Sequence, residues 1–471
     1  MTPARRFCSE ITWGIIGRFG KQLYAPATFD SNAHGLQPTN MRPSWPALIG
    51  IALAGLLAVV FGDRLRLAAP SPDALRFAHT FTTESERAII EAAIAEFEAG
   101  HPGVRIEQNI LNSEVYQTIG WRLQFRSRQP PDIFFLWDGY KSGYAIEHEW
   151  ALDLNPYLSA GFVEQFVPGT VRAQDDGIWF LPQSVDICSL VWFNRNLFTE
   201  HGWSPPATFE EWLELCAKAR AQNILPLAQG NRDLWPMGNF GAELAGQAVG
   251  PERLNQLFTR GVEPTALDLA GLQGLAALRE EGALDLPGVL APGGIGSLGD
   301  IDAKVLFLSG RSAMHVLGSW FVADIEDARA KGELRFEVGV FPVPSAQGEQ
   351  NVMGAVTTGY MVSRQTANPE AAVAFLELLL SPKYQAEFAR LGGLSARTDA
   401  EAFTTNPVTR QLHEFLAAAP LKVPPPDTAY RPEQAQIFYE ICADLLTGKL
   451  KLKDATTRWR EGKLALSGKG L

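Results

Sequence analysis

The sequence predicts an α/β protein with at least two folded units, each built on a mostly parallel sheet flanked by helices. Three observations point there. A chain of 471 residues with 46% hydrophobic and 20% charged content has enough apolar side chain to bury more than one core. From residue 75 onward, segments of period two alternate with segments of helical period. The run IFFLW, Ile133–Trp137, is apolar without interruption, as a strand covered on both faces requires.

The elements follow in order. LRFAHTF, residues 75–81, alternates as a strand does, and in the helix after it Ile89, Ile90, Ala93, Ile94 and Phe97 share one face, with Gly100 and Pro102 as a stop. VRIEQNIL reads as the second strand, residues 116–125 as a helical stretch, and IFFLW as the third strand, launched by Pro130-Pro131-Asp132. This order folds with right-handed crossovers, and open sheets of the kind bind ligands beyond the carboxyl ends of their strands. Those ends are residues 81–83 and 137–140. In the second unit, Thr208 and Glu211 form a capping box for a helix whose Phe209, Trp212, Leu213 and Cys216 share a face. Residues 313–317 then read as a strand, Gly318-Ser319 as a break, and a helix starts near Trp320. A later strand leaves through Pro342 and Pro344, GYMV is another, and helices open at Asn368-Pro369, Ser381-Pro382, Arg431-Pro432 and Asp454.

Composition excludes several classes. The formal net charge is -11, and residues 1–62 carry an excess of basic side chains, so the remainder is more acidic still. Nucleic acid is a poor partner for such a surface. The one long charge-free apolar run, PALIGIALAGLLAVVFG at residues 46–62, follows Met41-Arg42 and suits a signal peptide with translation starting at Met41; an uncleaved membrane anchor is the alternative. Beyond it, Cys188, Cys216 and Cys442 have no metal-like spacing and read as small buried hydrophobes. No GxSxG, HExxH or phosphate loop is present, and Gly293-Gly294-Ile295-Gly296 has no strand before it. No cofactor is expected.

Polar residues interrupt one apolar segment. In FLPQSVDICSLVWFN, Gln183, Ser184 and Asp186 stand where a strand should be most apolar, which suggests that they face a ligand. Asp186 could equally satisfy local donors. At the strand ends, Trp137 beside Asp138 pairs a flat ring with a planar acceptor, and the Gly318-Ser319 break frees Trp320 to approach a ligand. Trp235, in a Gly- and Asn-rich stretch with Pro236, reads as a loop aromatic facing a ligand. Trp179, Trp192, Trp203 and Trp212 are assigned to packing, and His79 and His315 to satisfied interior positions.

Five segments, in the right order over about residues 75–465, resemble the extracellular solute-binding proteins of ABC transporters, in the sugar-binding group that includes maltose-binding protein. They are IIEAAIAEFEAGHPGVRIE, RSRQPPDIFFLWDGYKSGYA, DGIWFLPQSVDICSLVWFNRNLF, FLSGRSAMHVLGSW and NPEAAVAFLELLLSPKYQAEF. Arg195 stands where that family has a Lys-like residue, and Phe81 where it has an aromatic, commonly Trp, near the first strand end. The resemblance implies a type II periplasmic-binding-protein fold with two lobes closing over a ligand. It implies an N-lobe of residues 74–183 and 344–393 and a C-lobe of residues 184–343 and 394–466, after an N-terminal segment of residues 1–73. Residues 182–185 would make the first crossing between lobes and residues 341–344 the second.

The same resemblance implies a monomer that binds a small-molecule carbohydrate, acts outside the cytoplasm, in the periplasm where there is one, and hands its solute to ABC transporter permease subunits without chemistry. It implies ligand contacts at Phe81, Glu86, Gln183, Asp186, Thr357 and Thr358, beside Trp137, Asp138, Trp235 and Trp320. Glu86 also fits a capping box with Thr83, Phe81 fits a core, and Gly354, Thr357 and Thr358 fit an ordinary turn before a strand. A glycoside hydrolase using two carboxylates and a carbohydrate-binding surface protein without a transport role are the alternatives.

Overall fold

Two β-sheets organise the chain. The computed structural model describes residues 74–467 except 260–262, 266–267, 285–297 and 350. The apolar run at residues 46–62 and the glycine loop at 293–296 lie outside the described residues. The first sheet contains β1 (Ala74–His79), β2 (Arg105–Ile110), β3 (Ile133–Trp137), β4 (Arg172–Gln174) and β5 (Gly177–Ile187). The second is made of β6 (Leu190–Asn194), β7 (Leu225–Ala228), β8 (Ser312–Leu317) and β9 (Val338–Pro342), in the order β7-β8-β6-β9. Then β10 (Val352–Val362) returns to the first sheet, giving it the order β2-β1-β3-β10-β5-β4, with β11 (Leu421–Val423) pairing the start of β10.

Both sheets are mixed, where the alternating pattern predicts mostly parallel ones. β1 pairs β2 and β3 in parallel, and β7 pairs β8 in parallel, as helical crossovers require. The strands that arrive from the other lobe run the opposite way: β10 is antiparallel to both β3 and β5, and β6 to both β8 and β9. No local crossover governs the direction of these strands, so the handedness rule leaves them free.

The helices read from sequence are present. α1 (Glu84–Gly100) buries Ile89, Ile90, Ala93, Ile94 and Phe97, the face its periodicity marks. α2 (Tyr140–Glu147) follows β3, and α3 (Phe209–Ala221) carries the Thr208–Glu211 capping box. α4 (Trp235–Val249), α5 (Asp300–Leu308) and α6 (Phe321–Ala330) surround the second sheet, and α7 (Pro369–Leu379) and α8 (Pro382–Arg390) return to the first. One core joins Phe77, Ile90, Phe97, Phe135, Tyr360 and Phe375 in the first lobe. Another joins Trp212, Phe240, Phe258, Tyr439 and Trp459 in the second. Cys188, Cys216 and Cys442 are buried free thiols.

The chain leaves the first sheet later than the polar segment suggests. Residues 182–185, expected at the crossing, stay inside β5 and pair with β10, from Pro182 opposite Gly359 to Val185 opposite Thr357. The passage falls at Cys188-Ser189, between β5 and β6. The polar side chains of this stretch are tolerated in a strand because each finds a partner on the neighbouring strand β10, described below.

Glu243, a fully buried acid on α4, joins the lobes beside this passage. Its Oε2 accepts a hydrogen bond from the Gly354 amide of β10 at 3.1 Å. Burial pushes its pKa up to about 8, against the opposing pull of that amide. The folded state therefore binds the proton more tightly than the unfolded chain. The stability this confers is complete below about pH 4.5 and is lost as pH rises through about 8. Glu243→Gln cannot ionise. The difference in urea-unfolding free energy between wild type and this variant is expected to fall with pH across that window, by at most about 1.4 kcal/mol per pH unit. A difference that does not change with pH would contradict the burial assigned to this carboxyl.

Candidate ligand-binding site between the lobes

The site begins where β1 stops. Beyond His79 the chain turns through residues 80–83 into α1, and Thr83 caps that helix: its Oγ1 accepts from the Glu86 amide at 3.2 Å, while Glu86 Oε2 accepts from the Thr83 amide at 3.2 Å and from Thr83 Oγ1 at 2.7 Å. Glu86 thus serves the helix start, and it also lines a cavity between the two sheets. Burial raises its pKa to about 7, helped by the negative charges of Asp324 and Asp327 from the second lobe.

The cavity encloses about 200 Å³. The first lobe contributes Phe81, Glu86, Trp137, Gln183, Asp186 and Thr358, and the second contributes Trp235, Lys304, Trp320 and Asp324. Most of the residues singled out from sequence therefore meet at one place. Phe81 is also core, packed against Phe135 and Phe388 with ring centroids 5.2 Å and 5.4 Å away. A β-bulge between Thr358 and Gly359 leaves Gln183 as the extra residue of β5. Gln183 and Ser184 consequently both border the cavity, where strict alternation would turn one of them away. The Gln183 Oε1 accepts from the Tyr360 hydroxyl at 3.0 Å and from Gln385 Nε2 at 3.2 Å.

Asp186 is a node rather than a bare acceptor. Its Oδ2 accepts from Ser184 Oγ and Thr358 Oγ1, both at 3.1 Å, and its Oδ1 accepts from Ser319 Oγ of the second lobe at 3.4 Å. Burial pushes its pKa up to about 6 against these three hydroxyls, which favour the charged form. Ser319 and Ile187 add two further bonds across the lobes, Ser319 N to Ile187 O at 2.9 Å and Ile187 N to Ser319 Oγ at 3.2 Å.

Two expected contacts lie elsewhere. Asp138 does not border the cavity: its Oδ1 accepts from Ser142 Oγ at 2.5 Å and from Arg172 at 3.0 Å, which holds the start of α2. Thr357 sits on the other face of β10 from Val356 and Thr358, which do line the cavity, and its carbonyl accepts from the Asp138 amide. The MGAVTTGYM stretch, read from sequence as preceding a strand, is itself the body of β10. Trp235 is the first residue of α4 rather than part of a loop; Pro236 is tolerated there because first-turn amides have no partner within the helix.

Sequence reasoning did not single out the charged residues of the second lobe. Lys304 on α5 lies 3.4 Å from Asp300 and 3.3 Å from Asp324. Burial lowers the Lys304 pKa, but Asp324 and Asp300 outweigh that and hold it above the ordinary value. Asp427 lines the cavity from the C-terminal segment and pairs at 3.4 Å with buried Lys141, whose ammonium sits 4.6 Å from the Trp137 ring centroid. Burial depresses the Lys141 pKa and Asp427 offsets part of that. One side of Trp137 is thus occupied by a cation. Asn239, also on the cavity, is held by the Tyr439 hydroxyl at 2.7 Å from its Oδ1. These positions come from helix starts and from a segment far along the chain, where no local pattern marks a ligand.

Comparison with known proteins agrees with this fold. The family model for bacterial extracellular solute-binding proteins matches residues 82–386. An uncharacterized ABC transporter extracellular-binding protein of Pyrococcus horikoshii is 22% identical over 395 residues, covering 81% of this chain and 86% of the relative. The structure of a chitin oligosaccharide binding protein superimposes with a TM-score of 0.73 at 22% identity, covering 82% of this chain and 97% of that one. Maltose-bound MalE3 of T. maritima superimposes with a TM-score of 0.68 at 17% identity, covering 83% and 99%. The architecture is the two-lobed type II periplasmic-binding-protein fold. The chain belongs to the bacterial extracellular solute-binding proteins, and so acts outside the cytoplasm. Among the described residues, no helix is long and apolar enough to cross a membrane.

The Trp320 ring depends on a glycine. A Cβ at Gly318 would stand 2.1 Å from that ring and 2.6 Å from the Ile187 carbonyl. Gly318→Ala is expected to displace Trp320, visible as a shift in tryptophan emission, with cooperative unfolding retained; unchanged emission would show that the ring is not held there.

Proposed function

We propose that the cavity holds a neutral, hydroxyl-bearing small molecule, a sugar or related polyol, and that lobe closure captures it for delivery to an ABC-type permease. The observation that carries this reading is the shared lining: Trp137 from one lobe, Trp235 and Trp320 from the other, and planar polar side chains between them. Sugars present an apolar C–H face that stacks on aromatic rings and hydroxyls that both donate and accept. Glu86 and Asp186, with pKa values raised to about 7 and about 6, supply groups that do either near neutral pH.

Charge narrows the class. Glu86, Asp186, Asp300, Asp324 and Asp427 line the cavity against Lys304, so a phosphate or uronate would enter a field of its own sign. The volume of about 200 Å³ lies below the roughly 300–1,000 Å³ of drug-sized sites, which favours a solute of one or two rings. Proteins of similar fold are described as binding chitin oligosaccharide and maltose, which fits a carbohydrate class without naming the sugar. Such a protein binds and releases its solute unchanged, with no cofactor. We take it to be a monomer exported by the signal-like segment at residues 46–62. Its lobes hinge at Cys188-Ser189 and at the stretch between β9 and β10.

Calorimetry against a panel of neutral mono- to trisaccharides, polyols, hexose phosphates and uronic acids tests this. A neutral sugar should bind, with its phosphorylated and uronate counterparts at least about tenfold weaker. Trp137→Ala and Trp320→Ala should each weaken that sugar by about three- to thirtyfold. The sugar recovered from the complex should be intact by mass spectrometry. Turnover would instead establish a hydrolase, and a panel without a single binder would overturn the reading.

A further inference from the structure

The face of α6 that meets the first lobe continues past the cavity. Trp320, Ala323 and Asp324 line the cavity, and Asp327 and Lys331 follow at helical spacing. Ala323 is buried in the core of the first lobe. Asp327, outside the cavity lining, reaches the start of α1: Oδ2 accepts from the Glu84 amide at 3.0 Å, and Oδ1 accepts from the Ser85 amide at 3.3 Å and from the Ser85 hydroxyl. Lys331 pairs with Glu84 at 3.2 Å.

First-turn amides of a helix have no partner within it, and a carboxylate placed there also meets the positive end of the helix dipole. Thr83, the residue preceding α1, caps only the third amide, that of Glu86. The first two are completed by a residue from the opposite lobe, more than 240 positions along the chain. Opening the lobes would break both bonds and return the amides to water.

We propose that Asp327 is a closure latch: by capping α1 from across the cleft it holds the lobes together before any solute enters, and so sets how much closure the solute itself must drive. The latch rests on the two-lobed hinge reading and not on which solute binds. The same helix start carries Thr83 and Glu86 of the cavity, so the latch also fixes the position of those two groups. A solute's apparent affinity scales with the fraction of molecules already in the competent arrangement.

The test needs no solute. Spin labels at Glu91→Cys on α1 and Lys218→Cys on α3 report the distance between lobes in the full chain, and hydrogen exchange reports the Glu84 and Ser85 amides. The unliganded protein should show a populated short-distance state. Asp327→Ala should lower the ratio of closed to open by about two- to thirtyfold, the range expected for losing a helix cap. The amides should exchange faster by a similar factor. Ser85→Ala, which removes a single donor and leaves the acid in place, should give a smaller shift in the same direction and serves if Asp327→Ala does not fold. An unliganded protein found only in the open state, or variants with an unaltered distance distribution, would overturn the latch while leaving solute binding to be judged by the sugar panel.

Discussion

The antiparallel pairing of β5 with β10 is the constraint on which the rest depends. It joins stretches about 170 residues apart and places Asp186 opposite Val356 and Ser184 opposite Thr358, on the floor between the sheets. The chain between β5 and β10 leaves for the second lobe from one end of β5 and returns at one end of β10, and the C-terminal segment joins that lobe afterwards. The hydroxyls of this ladder are satisfied by its acid, Ser184 Oγ and Thr358 Oγ1 each donating to Asp186 Oδ2. Two paired strands can therefore carry an acid and two hydroxyls in an apolar sheet without leaving them unpaired. A hinge built this way is stiff along the strands and soft only in the few residues between them.

The electrostatics of the cavity follow from the same closure. Acids from both lobes are brought into one poorly solvated space, and burial is the first cause of the raised pKa at Glu86, Asp186 and Asp324. Lys304 on the lining and Lys141 behind it answer part of this charge. What remains is a field that tolerates neutral or positive solutes better than negative ones. Contacts between the lobes include the Asp186–Ser319 node on the floor, the Lys141–Asp427 pair near Trp137, the Glu243–Gly354 bond and the Asp327 cap on α1. The Asp327 cap lies outside the cavity lining, which lets it act on closure without touching the solute.

Some of the site was readable before folding. Trp137 and Trp320 follow apolar strands, and the ends of such strands are where open sheets present ligands, so local pattern sufficed for them. Asp138 has the same sequence neighbourhood as Trp137 yet turns to Arg172 and Ser142, because α2 starts two residues later and brings Ser142 back to it. Thr357 and Thr358 differ by one residue and by a whole face of β10, a difference that needs the register. Trp235 sits in a stretch whose Gly, Asn and Pro suggest a loop, but Pro at the first turn of a helix is compatible with α4.

The sequence alone determined β1, β2, β3 and β8, the helices α1, α3 and α6, the buried face of α1, the two capping boxes and the α/β class, because each of these is a local matter of period, cap and turn chemistry. Tertiary structure decided which strands run antiparallel, where the chain passes between lobes, and that Lys304, Asp324, Asp427 and Asp327 belong near the same cleft. Those are outcomes of pairing between segments hundreds of positions apart. Their free energy comes from burial and from hydrogen bonds that exist only once both partners are in place, and no local pattern records them.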